Sequence, residues 1–206
     1  MAAKQQSQTR SRTHRTDSTR KTSAKTSSRG GRSHRTSDRA NASAGILGDL
    51  KDDHKAVKKL LKQLEDSEEA EEQKGLFQLV HQELMVHAKL EEELFYPAYK
   101  EAIEAGMGGE EGTEEEEEER ALFFEAAEEH ASVETLLAKM KATGFGTDEF
   151  CAQACVLKEQ VEHHADEEEE EMFPAAAKAM GKQMLEQLAV QAEELRPTLM
   201  QQYKSP

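Results

Sequence analysis

Four stretches after Ile46 repeat apolar residues at alternating three- and four-residue steps, and each carries one histidine on its apolar stripe. That period belongs to α-helices laying one face against a shared core. The stripes read Leu47, Leu50, His54, Val57, Leu61 and Leu64; then Val80, Leu84, His87, Glu91 and Leu94; then Phe123, Ala127, His130, Glu134 and Leu137; then Leu157, Val161, His164 and Glu168, with Met172 near the same line. Polar or glycine-bearing segments at 65–74, 104–113 and 143–147 separate them. Connections of that size predict an all-α fold, an antiparallel four-helix bundle. An additional C-terminal helix is expected from about residue 180, with Met184, Leu188, Ala192 and Leu195 on one side, ending near Pro197 and packing across an outer face.

The stripes come in two matching halves. His87-Ala-Lys-Leu-Glu91-Glu-Glu-Leu-Phe-Tyr-Pro97 aligns with His164-Ala-Asp-Glu-Glu168-Glu-Glu-Glu-Met-Phe-Pro174, with six identities. In the same frame Asp53-His54, Val57 and Leu60-Leu61 align with Glu129-His130, Val133 and Leu136-Leu137. His54 precedes His87 by 33 residues and His130 precedes His164 by 34. Each half therefore delivers the same side chains to the bundle centre, and a pseudo-two-fold axis follows.

Each half supplies one histidine from its first helix and a His-x-x-x-Glu pair from its second. Residues four apart share a helix face, about 6 Å apart along the axis, so His87/Glu91 and His164/Glu168 can each serve a common centre. Four imidazoles and two carboxylates are too many donors for one metal ion and suit two, with Glu91 and Glu168 able to bridge. Imidazole and carboxylate without thiolate favour iron or manganese over zinc. A lone buried histidine is more simply a core residue hydrogen-bonded to a carboxylate. Four, with two buried glutamates, would cost several kcal/mol per charge if nothing bound them. His81 and His163 fall off the stripes, and the proline-anchored register selects His164 rather than His163. The glutamate runs at 114–119 and 167–171 read as solvated faces, apart from Glu168.

Asp-His-x-x-Val-x-x-Leu-Leu, His-x-x-x-Glu-Glu-x-x-Phe-Tyr-Pro, Glu-His and His-His-x-x-x-Glu with Met-Phe-Pro, spread over residues 46 to about 180, resemble the hemerythrin superfamily, in particular its bacterial HHE cation-binding domains. The resemblance implies two non-haem iron ions, held by His54, His87, Glu91, His130, His164 and Glu168, that bind or react with dioxygen. The chain departs from the oxygen carriers of that family one turn beyond His130. A further histidine stands there in the carriers, and Glu134 stands there here, matched in the first half by Lys58. A glutamate at that place would ligate or bridge, which puts reversible oxygen carriage in doubt. Ferritin-like bundles use Glu-x-x-His pairs instead, and no acid in this chain lies three residues before a histidine.

Charge divides the chain. Residues 1–44 hold eleven Lys or Arg against Asp17 and Asp38, a net +9, and leave −24 for the remainder. Those 44 residues contain no Leu, Ile, Val or aromatic side chain. They are expected to be a disordered basic arm, unable to bury a core or to form the amphipathic helix of an import peptide, joined to a bundle domain over 45–206. Cys151 and Cys155, one turn apart, read as unpaired thiols in a reducing cytoplasm. The chain lacks a membrane-length apolar run, a phosphate-binding loop, a His-Glu-x-x-His motif and a Ser or Cys nucleophile arrangement. The reading is thus a cytoplasmic metal- and oxygen-binding protein rather than a dedicated enzyme. It would sense or scavenge O2, peroxide or NO through a pocket lined by Val57, Leu61, Leu84, Leu137 and Val161. An alternative is an iron-storage bundle that its arm tethers to nucleic acid or another polyanion.

Overall fold

The structure, a computed structural model, describes residues 45–106 and 114–204. The basic arm expected over 1–44 lies outside the described residues. Six α-helices are present among them: α1 (Ile46–Asp66), α2 (Ala70–Leu90), α3 (Tyr96–Gly106), α4 (Glu114–Thr143), α5 (Asp148–Glu167) and α6 (Phe173–Gln202). A π-helical turn at Glu91–Phe95 joins α2 to α3, and a second at Glu168–Met172 joins α5 to α6. The described residues contain no strand.

α1 packs on α2 and α5, and α4 packs on α5 and α2, so these four helices close a ring, with α6 laid along α1, α2 and α3. The loops α1–α2 and α4–α5 span only 67–69 and 144–147, which makes each helix pair an antiparallel hairpin. Buried Gln73 ties the two loops together, its Nε2 donating to the Ser67 carbonyl at 2.8 Å and its Oε1 accepting from the Gly146 amide at 2.7 Å. α5 begins on Thr147, whose hydroxyl oxygen accepts from the Phe150 amide at 3.1 Å, a side-chain N-cap. α1 begins on Gly45, at φ 61°, where a Cβ would stand 2.6 Å from the Leu185 carbonyl carbon. Only glycine fits there, both for its backbone and for the close approach of α6.

The apolar side chains form two clusters. One gathers Leu50, Val86, Leu90, Phe95, Tyr99 and Phe173 with the inner face of α6, and the other gathers Val57, Leu61, Leu84, Leu137, Phe150 and Leu157. His54, His87, His130 and His164 fall between these clusters in sequence along their helices, so the bundle is two apolar cores separated by one polar layer.

The stripes of α1 and α5 are buried as read, and three details differ elsewhere. On α4 the buried positions are Ala126, His130, Leu137 and Met140, while Ala127 and Glu134 are exposed. The alternating four- and three-residue steps expected there put Ala127 and Glu134 to one side of the buried face, and His130 with Leu137, seven residues on, holds it. Beyond Glu91 the buried side chains are Phe95, Tyr96 and Tyr99, with Leu94 only half-buried, because the π turn advances the face by one residue. The last helix does not stop at Pro197. It runs to Gln202, with its break instead at Gly181 (φ 68°, ψ 166°). Pro197 lies on the exposed side, where water can serve the carbonyl that its missing N–H leaves free.

Candidate metal centre

All four stripe histidines turn Nε2 toward one another. His54 and His87 approach to 3.0 Å through these atoms, and His130 and His164 to 3.2 Å. The carboxylates lie across the pairs. Glu91 reaches His87 with Oε1 at 3.1 Å and His130 with Oε2 at 3.4 Å. Glu168 reaches His54 at 3.3 Å and His164 at 3.7 Å, both through Oε2. Each glutamate thus serves one histidine from its own half and one from the other, and the duplicated sequence becomes a pseudo-symmetric cluster.

The two π turns place these carboxylates. The Tyr96 amide bonds back to the Glu91 carbonyl and the Phe173 amide to the Glu168 carbonyl, both five residues back. Pro97 and Pro174 follow immediately. A proline removes an i→i−4 bond and its ring presses on that carbonyl, so a wider turn just before it relieves the clash. The extra residue lets adjacent glutamates both face the interior.

That second glutamate, and the acid before the histidine of α1 and of α4, face the outer ring nitrogens. His54 Nδ1 lies 2.9 Å from Glu169, His130 Nδ1 3.2 Å from Glu92 and His164 Nδ1 2.8 Å from Glu129, while His87 Nδ1 stands 3.6 Å from Asp53. A carboxylate bonded behind His54, His130 and His164 fixes those rings and keeps Nε2 for the centre, and at His87 the nearby Asp53 makes an ion pair without a hydrogen bond. Phe173 stacks on His54 at 5.9 Å and Tyr96 on His130 at 6.0 Å, again related by the duplication. One polar atom breaks the symmetry: the Tyr96 hydroxyl donates to Glu168 Oε1 at 2.8 Å, where Phe173 has none to give to Glu91.

Electrostatics follows from this packing. Burial alone would push His87 down, but Glu91 and Asp53 beside it hold it up at about 10. Burial likewise opposes the charge on His130, and Glu91 and Glu92 raise it to about 9. Glu91 is buried, yet His87 and His130 hold its carboxyl well below the usual range. Burial and the neighbouring Glu91 and Glu168 push the Tyr96 phenol well above its ordinary value.

The chemistry of this donor set fits a metal site. His54, His87, Glu91 and Glu168 offer atoms within 4.8 Å of one another, as do Glu91, His130 and His164, so Glu91 belongs to both groups. Glu168 Oε2 is buried without a hydrogen-bond donor, and both Glu91 oxygens, buried too, have only the charged imidazoles of His87 and His130 beside them, a place that a metal cation would take. The six residues expected from the stripes are therefore brought together. Glu134 is not among them: it is exposed on α4, outside both donor groups, on the wall of the adjoining cavity. His163 is exposed and His81 half-buried against Phe77, and neither joins the cluster.

That cavity, about 30 Å³, is bounded by the four histidines and by Val57, Leu84, Val133 and Val161. One water-sized guest needs roughly 10–15 Å³. Leu61 and Leu137, expected on its wall, sit deeper in the apolar cluster. Sequence reading missed Asp53, Glu92, Glu129 and Glu169 as supports, although the alignment of the halves pairs them as it pairs the ligands. Arg196 was missed too. It reaches from α6 to clamp Asp53 with two bonds of 3.1 and 2.7 Å, and lies outside the duplication, so nothing in the repeat points to it.

A protein-family model described as the hemerythrin HHE cation binding domain matches residues 45–176. No curated protein and no solved structure gave a significant match.

Proposed function

Because the chain belongs to the hemerythrin HHE cation-binding family, we propose that its buried cluster holds two non-haem iron ions and that the protein binds or reacts with dioxygen or a related small oxidant. The observation that carries this reading is the pair of donor groups sharing Glu91, all buried, with a carboxylate facing the outer nitrogen of every imidazole. His54, His87, Glu91 and Glu168 would hold one ion, and His130 and His164, with Glu91 shared, the other. When bound, iron in this setting supplies electrons to a small oxidant.

The protein's own part is to exclude bulk water and to admit something small. Two apolar clusters enclose the polar layer, and the cavity beside the histidines presents mostly aliphatic carbon. A diatomic gas or a peroxide fits that volume, and a larger substrate does not. The Tyr96 hydroxyl keeps its proton, since burial and two carboxylates disfavour the phenolate, and its bond holds one Glu168 oxygen away from the centre.

Iron content and colour test this reading. The purified protein should carry two iron ions per chain, and its visible absorption should change when it is reduced without oxygen and then given air. His87→Ala and His164→Ala should each lose iron and colour. Full iron retention by either variant would sink the proposal.

A further inference from the structure

The duplication permits a comparison of the two flanks of the centre, and they are finished differently. The first flank holds Asp49 and Asp53 of α1 and, on α2, Val86 and Leu90, both fully buried. α6 packs along these helices, and its Arg196 binds Asp53 bidentately. A hydrophobic wall and a fixed cation close that side.

On the second flank the matching positions are Glu125 and Glu129 of α4 and His163 and Glu167 of α5. Two buried aliphatic residues are replaced by an imidazole and a carboxylate. His163 is 62% exposed, and its Nε2 lies 3.4 Å from Glu167 Oε1 and 3.9 Å from Glu129 Oε1. Glu129, His163 and Glu167 bring donor atoms within 4.8 Å of one another.

This flank also leads inward. A cavity of about 10 Å³ is lined by Glu125, Glu129 and Glu167 together with His164 and Glu168. Glu168 is 2% exposed, and its Oε2 has no hydrogen-bond donor. Glu129 spans the passage, with Oε2 on His164 and Oε1 turned to His163. An acidic mouth, an imidazole and a buried unpartnered carboxylate are thus in series.

We propose that Glu129, His163 and Glu167 form a divalent-cation entry site, with Glu125 at its rim, through which Fe2+ exchanges between solvent and the buried centre. The inference rests on the reading of that centre as an iron site. Carboxylate and imidazole are suitable ligands for Fe2+. A cleft lined by one sign of charge raises the local concentration of the opposite ion. A partial ligand set at the mouth replaces water around the ion stepwise, which lowers the barrier in both directions.

Isotope exchange on the loaded protein tests it. Reduced holoprotein of natural isotope composition is mixed anaerobically with excess 57Fe2+, and the bound isotope is followed by mass spectrometry after rapid desalting. His163→Ala/Glu167→Gln should exchange about tenfold more slowly than wild type, a size typical of lost electrostatic focusing, at unchanged iron content. Both residues are surface-accessible, and circular dichroism verifies the fold of the variant. Glu72→Gln, an exposed acid on α2, should exchange at the wild-type rate. An exchange rate for the double variant within twofold of wild type would overturn the entry site. Wild-type holoprotein that carries no iron would instead overturn the reading of the centre, so the two failures are distinguishable.

Discussion

Loading the centre should release protons, and their number follows from the imidazoles that Glu91 holds charged. In the metal-free chain His87 is held at about 10 and His130 at about 9, so at pH 7 both rings carry two protons. A ring nitrogen that coordinates must first lose its proton. Two protons should therefore leave per loaded centre at any pH up to about 8. Each contributes about 1.4 kcal/mol per pH unit to the apparent binding free energy, so the overall affinity should rise about a hundredfold per unit and roughly ten-thousandfold from pH 6 to 8. Calorimetric titration of Co2+ into metal-free protein, in two buffers of different ionisation enthalpy, counts the protons directly. A count of zero, or an affinity flat across this range, would refute the argument, since both histidines would then be neutral before loading. Stability should move the opposite way. A raised histidine pKa stabilises the folded chain fully below the unfolded value near 6.5, and that contribution is lost as pH rises through the folded value. Metal-free protein should therefore melt at lower temperature at pH 10 than at pH 6.5, and loading should abolish that part of the decline.

Glu91 belongs to both donor groups and Glu168 to one. Glu91→Gln should thus lose both ions, whereas Glu168→Gln should retain about one, as read by iron per chain after desalting; equal losses would contradict the sharing. Tyr96→Phe removes the donor to Glu168 Oε1 inside the core and should cost about 1.5–3 kcal/mol by denaturant melting, with a shift in the visible spectrum of the loaded protein. Gly45→Ala combines a left-handed φ with a 2.6 Å approach to Leu185, and should destabilise by about 2–4 kcal/mol in thermal unfolding. A loss below about 0.5 kcal/mol would show that α6 yields at that contact.

The sequence made the clustered His and Glu side chains legible because each is marked twice, once by its place on an apolar stripe and once by its partner in the other half. His54, His87, His130 and His164 are polar residues where the 3.6-residue period asks for apolar ones, and Glu91 and Glu168 follow at four-residue spacing. Glu134 carried only one of those marks. It sat on a stripe of alternating three- and four-residue steps, its counterpart is Lys58, and it proves exposed. Lys58 in turn donates to Asp166 at 2.6 Å on the surface. The pairing across the halves was the better guide, and it also singles out Asp53 with Glu129 and Glu92 with Glu169, whose acidic character alone looked like solvation.

What the repeat could not reveal is everything that departs from it. The π turns need the backbone, because a period read at 100° per residue has no place for an extra residue, although the prolines at 97 and 174 mark where it falls. The last helix beyond its break at Gly181 has no counterpart in the other half, so neither its continuation past Pro197 nor the reach of Arg196 to Asp53 follows from spacing. Yet this unpaired helix decides how a symmetric centre becomes one with two different sides. It closes the flank where Val86 and Leu90 stand and leaves their polar counterparts, His163 and Glu167, with another task. A duplicated scaffold fixes the donor side chains in pairs, and the segment outside the duplication gives the pairs different surroundings.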